Sequence, residues 1–139
     1  MRGRVARGSA GRRPSPPKSA YSVGVTETTI RPATEADLPI VLDFVRDLAA
    51  YVNEPDAPVA TVDLFAAAMF PATGTPSAYA HVAEVHGEIV AAAIWYPTFS
   101  TWEGRSGLWL DDLFVTEEYR RRGVGRELMH ALAQVCVER

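Results

Sequence analysis

A single cysteine, Cys136, is all the thiol chemistry this chain has. One thiol excludes an internal disulfide framework and suits a reducing compartment. No apolar run in the 139 residues is long enough to span a bilayer. A cytoplasmic protein with no membrane partner is therefore expected. The three histidines, His81, His86 and His130, fall at no metal-ligand spacing. No metal site is expected, and the histidines read as ordinary surface residues. Cys136 adjoins Val135 on a mostly apolar helix and reads as buried and inert.

Acid is missing from the first 24 residues, which carry Arg2, Arg4, Arg7, Arg12, Arg13 and Lys18. Large apolar residues are almost missing there too. Such a stretch cannot bury enough surface to offset the entropy of ordering, so residues 1–24 read as a disordered basic tail. A start assigned upstream of the true one gives the same pattern. The tail lacks the apolar helical face of a transit peptide. Its lysine lacks the preceding glycine of a phosphate-binding P-loop. Removing the tail leaves eight basic residues against all 17 acids, so the body 25–139 carries about −9. That sign steers cations toward the body and argues against a nucleic-acid partner.

What is present is one domain's worth of chain, 47% apolar and 22% charged. Val25 to Arg31 alternates and is β-branched, which predicts a first strand that Pro32 ends. Thr34 or Asp37 caps a helix to about Tyr51, with Ile40, Val41, Phe44, Val45 and Leu48 at helical spacing. Thr61 caps a shorter helix through about Phe70. Ala78 to Val85 and Glu88 to Phe99 form a hairpin about His86-Gly87. A polar connection, Ser100 to Gly107, carries Trp102, and Leu108 to Val115 is the next strand. Trp95 and Trp109 read as packing residues. The last helix starts near Gly123 and aligns Val124, Leu128, Leu132 and Val135. The order β-α-α-β-β-β-α predicts an α+β fold with a mostly antiparallel sheet flanked by helices. The sequence stops inside the helix, so the domain reads as C-terminally truncated, with an open strand edge beside the last loop.

The chemistry is concentrated in Leu108 to Glu127, LWLDDLFVTEEYRRRGVGRE. Two acids, Asp111 and Asp112, interrupt an apolar strand. Three arginines then meet Gly123-Val124-Gly125 at a helix start, and N–H groups at such a start hold anions. A dinucleotide fingerprint is excluded, because its third glycine position holds Leu128 and seven residues separate Val115 from Gly123. Neighbours on a strand face opposite ways, so only one of the acids lines a given cleft. Asp111 is the one expected there, with Asp112 toward solvent.

The run Arg120-Arg121-Arg122-Gly123-Val124-Gly125 resembles the pyrophosphate loop of the GCN5-related N-acetyltransferases. Ile30-Arg31-Pro32-Ala33-Thr34 with Asp37 is similar to that family's first strand and helix start. Leu110 to Val115 with Tyr119-Arg120, and Tyr96 to Gly104 before them, resemble the diamine (spermidine/spermine) N-acetyltransferase branch. The likeness covers about residues 28–139 and implies a partial N-acetyltransferase domain over 25–139.

What the resemblance implies is acetyl transfer from acetyl-CoA to a primary amine of a small cationic substrate: a diamine, polyamine or amino acid-like molecule. Backbone groups of Leu113 and Val115, with Phe114 between them, would hold the pantetheine arm. N–H groups from Arg121 to Arg126, with Arg120 beside them, would cradle the pyrophosphate. Asp111 stands where the branch has a glutamate that binds the amine and relays its proton. Tyr51, Trp102 and Asp112 are the further substrate contacts expected, and members of the branch pair as homodimers. The chemistry agrees, because an alkylammonium arrives protonated and needs a carboxylate to take its proton.

Two departures are plain. Val52 replaces a glutamate of the branch, which weakens the case for polyamines, though Glu54 or Asp56 can compensate. The family's later strand and the helix bearing its tyrosine general acid have no counterpart in these residues. Little turnover by this chain alone is therefore expected, and the alternative reading is a remnant that binds coenzyme A or serves as an interaction module.

Overall fold

The computed structural model describes residues 27–139. The expected tail, and the start of the first strand at Val25, lie outside them. Four strands form one antiparallel sheet in the order β1-β2-β3-β4, with β1 Thr28–Pro32, β2 Tyr79–Val85, β3 Glu88–Ser100 and β4 Arg105–Val115. Helices α1, Leu38–Tyr51, and α2, Val62–Met69, lie between β1 and β2, and α3, Val124–Glu138, follows β4. This is the α+β order read from the sequence.

Each strand's alternation assigns its faces. Ala80, Val82, Ala92, Ile94 and Phe114 pack under α1 and α2, with Val41, Phe44 and Met69. Ala83, Val85, Ala91, Ala93 and Trp95 pack under Val124, Leu128 and Leu132 of α3. Helices thus cover both faces of the sheet. Pro39 falls in the first turn of α1, where its missing N–H matters least. Ile40, expected on the apolar face of α1, is 37% exposed, and Leu38 and Leu42 are buried in its stead.

Three further expectations are corrected. Cys136 is exposed, one step round α3 from half-buried Val135. Trp109 is 56% exposed, whereas Trp95 is buried. His81 is no surface histidine. It faces α3 from a strand covered on both sides, and its Nδ1 accepts from Trp95 Nε1 at 3.0 Å. Burial pushes its pKa down. A histidine kept neutral in the fold loses stability as pH falls below its unfolded value near 6.5. His81→Gln, which keeps an acceptor for Trp95, is expected to flatten the decline of Tm between pH 7 and 5. An unchanged decline sinks this assignment.

The link from β1 to α1 is held by charge. Arg31 reaches Asp37 at 2.7 Å and Glu84 at 3.0 Å. The Asp37 carboxylate also accepts from Thr34 N at 2.7 Å and Thr34 Oγ1 at 3.0 Å. The Arg31 hydrogen bond, aided by Thr34, lowers the Asp37 pKa to about 2. A depressed carboxyl pKa adds stability above the ordinary 3.8 that is lost as pH falls through about 2. That gap is worth roughly 2 kcal/mol. Asp37→Asn is expected to cost about that at pH 7 and to show no further loss in this acid window, checked by urea unfolding at pH 7 and pH 3.

Candidate active site at the end of β4

The register of β4 on β3 contains one irregularity. Trp95 pairs with Leu110 and Ile94 with Asp112, which leaves Asp111 without a partner. Asp111 is the extra residue of a β-bulge. The bulge shifts the phase of the strand. Leu108 and Leu110 pack on the α3 side before it, and so do Leu113 and Val115 after it. Two even positions and then two odd ones share a face, which strict alternation forbids. The apolar pattern of LWLDDLFV carries that shift and is the signal that could have revealed the bulge.

The shift decides the acids. Asp111, expected to line the cleft, is exposed. Asp112, expected toward solvent, is half-buried on the α1 side among Val41, Phe44, Leu48 and Phe114. Burial raises its pKa, and the charge of Asp111 raises it further.

Beyond the bulge, β4 presents one open side. Thr116 N donates to Val90 O at 2.9 Å, so Thr116 faces β3. Backbone groups alternate along a strand, so those of Phe114 also face β3 and those of Leu113 and Val115 face away. Val115 O accordingly accepts from Arg120 Nε at 2.9 Å on that side. Leu113 and Val115 thus turn their backbone groups to the open side. Phe114 does not: its ring is buried and stacked on Phe44, 4.9 Å between centroids.

The chain then turns through a short 3-10 segment, Glu117–Tyr119, into the arginine loop. Arg121 and Gly123 take positive φ, +62° and +84°. Gly123 is the N-cap of α3, and the first helical bond is Glu127 N to Gly123 O at 3.0 Å. The N–H groups of Val124, Gly125 and Arg126 precede it and have no acceptor within the helix. A Cβ on Gly125 would meet the Val115 and Leu113 side chains at 3.6 and 3.9 Å. The helix start therefore sits directly against the open end of β4. Free N–H groups, the positive end of a 15-residue helix and an unpaired strand edge meet at one place.

The other expected residues are arranged unevenly. Tyr51 ends α1 and is 71% exposed, with the Arg120 guanidinium 5.2 Å from its ring centroid. It lines a hollow of about 430 Å3 with Asp47, Phe114, Thr116, Glu117 and Arg120. Arg122 lies over Tyr119 at 5.3 Å. Trp102 is 98% exposed at the tip of the β3–β4 hairpin. Six strand residues separate that tip from Asp111, about 20 Å of chain. The structure therefore does not bring Trp102 to the acids. β3 runs to Ser100 and β4 starts at Arg105, so half of the connection expected over Ser100 to Gly107 is paired strand. Its polar, exposed residues gave no apolar alternation to read. Among the described residues, no helix is long and apolar enough to cross a membrane.

The chain is similar to known acetyltransferases. The profile of the acetyltransferase (GNAT) family matches residues 43–139. A thialysine N-epsilon-acetyltransferase of Bos taurus is 31% identical over 118 residues, 79% of this chain and 68% of that protein. A human spermidine/spermine N(1)-acetyltransferase-like protein 1 is 32% identical over 117 residues, 78% of this chain but only 16% of that protein. Among solved structures, an aminoglycoside acetyltransferase from an uncultured soil metagenomic sample superposes with a TM-score of 0.65 at 21% identity, over 80% of this chain and 70% of its own. A ribosomal-protein-alanine N-acetyltransferase from Brucella melitensis gives 0.64 at 21%, over 81% and 74%.

Proposed function

The chain belongs to the acetyltransferase (GNAT) family, and from that premise we propose that it moves the acetyl group of acetyl-CoA to a primary amine of a small cationic substrate. A diamine, a polyamine or an amino acid-like amine fits best. One observation carries the reading: the open edge of Leu113 and Val115 runs into the free N–H groups of α3, beside a pair of carboxylates. The names of the two curated relatives, one for thialysine and one for spermidine and spermine, support an amine acceptor.

The residues present fit the cosubstrate. The N–H groups of Val124, Gly125 and Arg126 suit a pyrophosphate, and the strand edge suits the amides of a pantetheine arm. Bound there, acetyl-CoA supplies an acetyl group activated as a thioester, and its transfer to nitrogen leaves the free thiol. The open N–H groups of Leu113 and Val115 are the donors that a developing oxyanion needs. Asp111, exposed and charged, attracts the ammonium. A primary ammonium has a pKa near 10.4, so it must lose a proton before its nitrogen can bond to carbon. The acid pair takes that proton, directly or through water. Asp112, with its raised pKa, is the better base of the two.

The test is calorimetry with coenzyme A, followed by thiol release from acetyl-CoA across a panel of diamines, polyamines and lysine analogues. Retention of coenzyme A with transfer to at least one amine is expected. Retention without transfer to any would leave the coenzyme A-binding module as the reading. Failure to retain coenzyme A would overturn both.

A further inference from the structure

All three arginines of the loop have the same prospect of meeting phosphate in the sequence. The structure separates them. Arg121 is exposed in a left-handed backbone conformation, and Arg122 rests on Tyr119. Arg120 alone reaches out of the loop to two other elements. Its Nε holds Val115 O at 2.9 Å, at the last residue of β4. Its guanidinium lies 5.2 Å from the Tyr51 ring centroid, at the last residue of α1, and 5.8 Å from that of Phe114.

We infer that Arg120 is a positioning residue of the coenzyme A site, a latch and not a phosphate ligand. It fastens the entry of the loop to the ends of β4 and α1, and so sets the N–H groups of Val124 to Arg126 against the strand edge. This rests on the reading of that loop as the pyrophosphate site. The segment Glu117 to Gly123 has few other ties, chiefly the packing of Tyr119 against the α3-side core. Thr116 N is tied to Val90 O at 2.9 Å, but beyond it the backbone bonds are local, Tyr119 N to Thr116 O at 2.9 Å and Arg120 N to Glu117 O at 3.2 Å. The loop also holds Arg121, a non-glycine residue, at positive φ, a conformation that persists only with support from its surroundings. The Arg120 contacts supply that support across three elements.

The latch depends on features that lysine does not share. A guanidinium is planar, stacks on aromatic rings, and donates from Nε while its other nitrogens lie over a ring. An arginine that bound phosphate would also lose its paired donors in lysine, so Tyr51→Leu, which leaves Arg120 itself intact, is what separates a latch from a phosphate ligand. The same geometry gives Tyr51 a part in the latch. The ring that the family resemblance assigns to the amine substrate holds the loop's arginine in this structure.

The test measures affinity for coenzyme A and for acetyl-pantetheine, which carries the arm and the thioester but no pyrophosphate. The parent chain, Arg120→Lys and Tyr51→Leu are compared, with Tm for each. Arg120→Lys is expected to weaken coenzyme A about tenfold despite its conserved charge, and to leave acetyl-pantetheine within about twofold. Tyr51→Leu, which keeps the arginine and removes its ring, is expected to weaken coenzyme A by a smaller factor, again without effect on acetyl-pantetheine. Parental coenzyme A affinity in Arg120→Lys would overturn the latch, because charge alone would then suffice. Equal losses for both ligands would also overturn it, since the residue would then be supporting the fold at large. If Arg120→Lys does not fold, Tyr51→Leu decides by the same two comparisons. A parent chain that binds the two ligands equally would defeat the pyrophosphate reading itself, separately from the latch.

Discussion

Gly123→Glu is expected to lower affinity for coenzyme A by at least about a hundredfold while leaving the fold standing. Gly123 caps α3 at φ +84°, and a Cβ there would meet nothing within 4 Å. A side chain is therefore opposed by backbone strain alone, roughly 1–2 kcal/mol for a non-glycine residue in the left-handed region. A carboxylate at this point would sit at the positive end of the helix, which favours it. Those two effects nearly cancel in Tm. They do not cancel in binding, because the carboxylate occupies the field meant for the pyrophosphate and repels it. At about 4 Å, two like charges near a protein surface repel by up to about 4 kcal/mol, and a hundredfold loss corresponds to about 2.7 kcal/mol. Gly123→Ala carries the strain without the charge, so it should lose only a few-fold. Calorimetric titration of both variants reads the difference. Parental affinity in Gly123→Glu would show that the loop is not the anion site.

Asp112→Asn should reduce acetyl transfer about a hundred- to a thousandfold relative to whatever rate the parent shows, the range of a lost general base. It should also raise Tm. The carboxyl of Asp112 is half-buried beside apolar side chains and next to Asp111, and both effects raise its pKa. A carboxyl with a raised folded pKa carries a stability penalty while ionised. That penalty is present above the folded pKa and disappears as pH falls below the unfolded value of 3.8. Removing the charge removes the penalty at neutral pH, so activity and stability should move in opposite directions. The acid limb of the parent's pH–rate profile should lie above the ordinary carboxylate range and vanish in the variant. Asp111→Asn is the companion experiment. Its side chain is exposed, so Tm should rise only slightly, by the relief of its repulsion of Asp112, and a larger rate loss than in Asp112→Asn would return the base to Asp111.

How legible this site was depends on which periodicity was unbroken. The helix starts at Thr34–Asp37, Thr61 and Gly123 could be read because capping and glycine chemistry are local. The glycine loop was legible for the same reason. The bulge at Asp111, and with it the burial of Asp112, was not foreseen because two-residue alternation was carried straight through Leu110 to Leu113. His81 was misplaced because a strand gives no hint that helices will cover both of its faces. Cys136 was misplaced because one step on a helix turns about 100°, enough to leave an apolar stripe. Trp102 was expected as a substrate contact, and the antiparallel hairpin carries it away from the acids.

By itself the sequence determined the order of elements, the N-acetyltransferase likeness and the place of the glycine loop. All of these rest on residues within a few positions of each other, whose chemistry acts through the local backbone. Only the tertiary structure decided which acid is desolvated, which edge of β4 stays open, and that Arg120 answers to Tyr51 across 69 positions of chain. Those outcomes depend on a bulge that shifts the phase of one strand, and on the layer of α1 laid over that strand afterwards. Burial and strand pairing are properties of the assembled sheet, and no short window of sequence contains them.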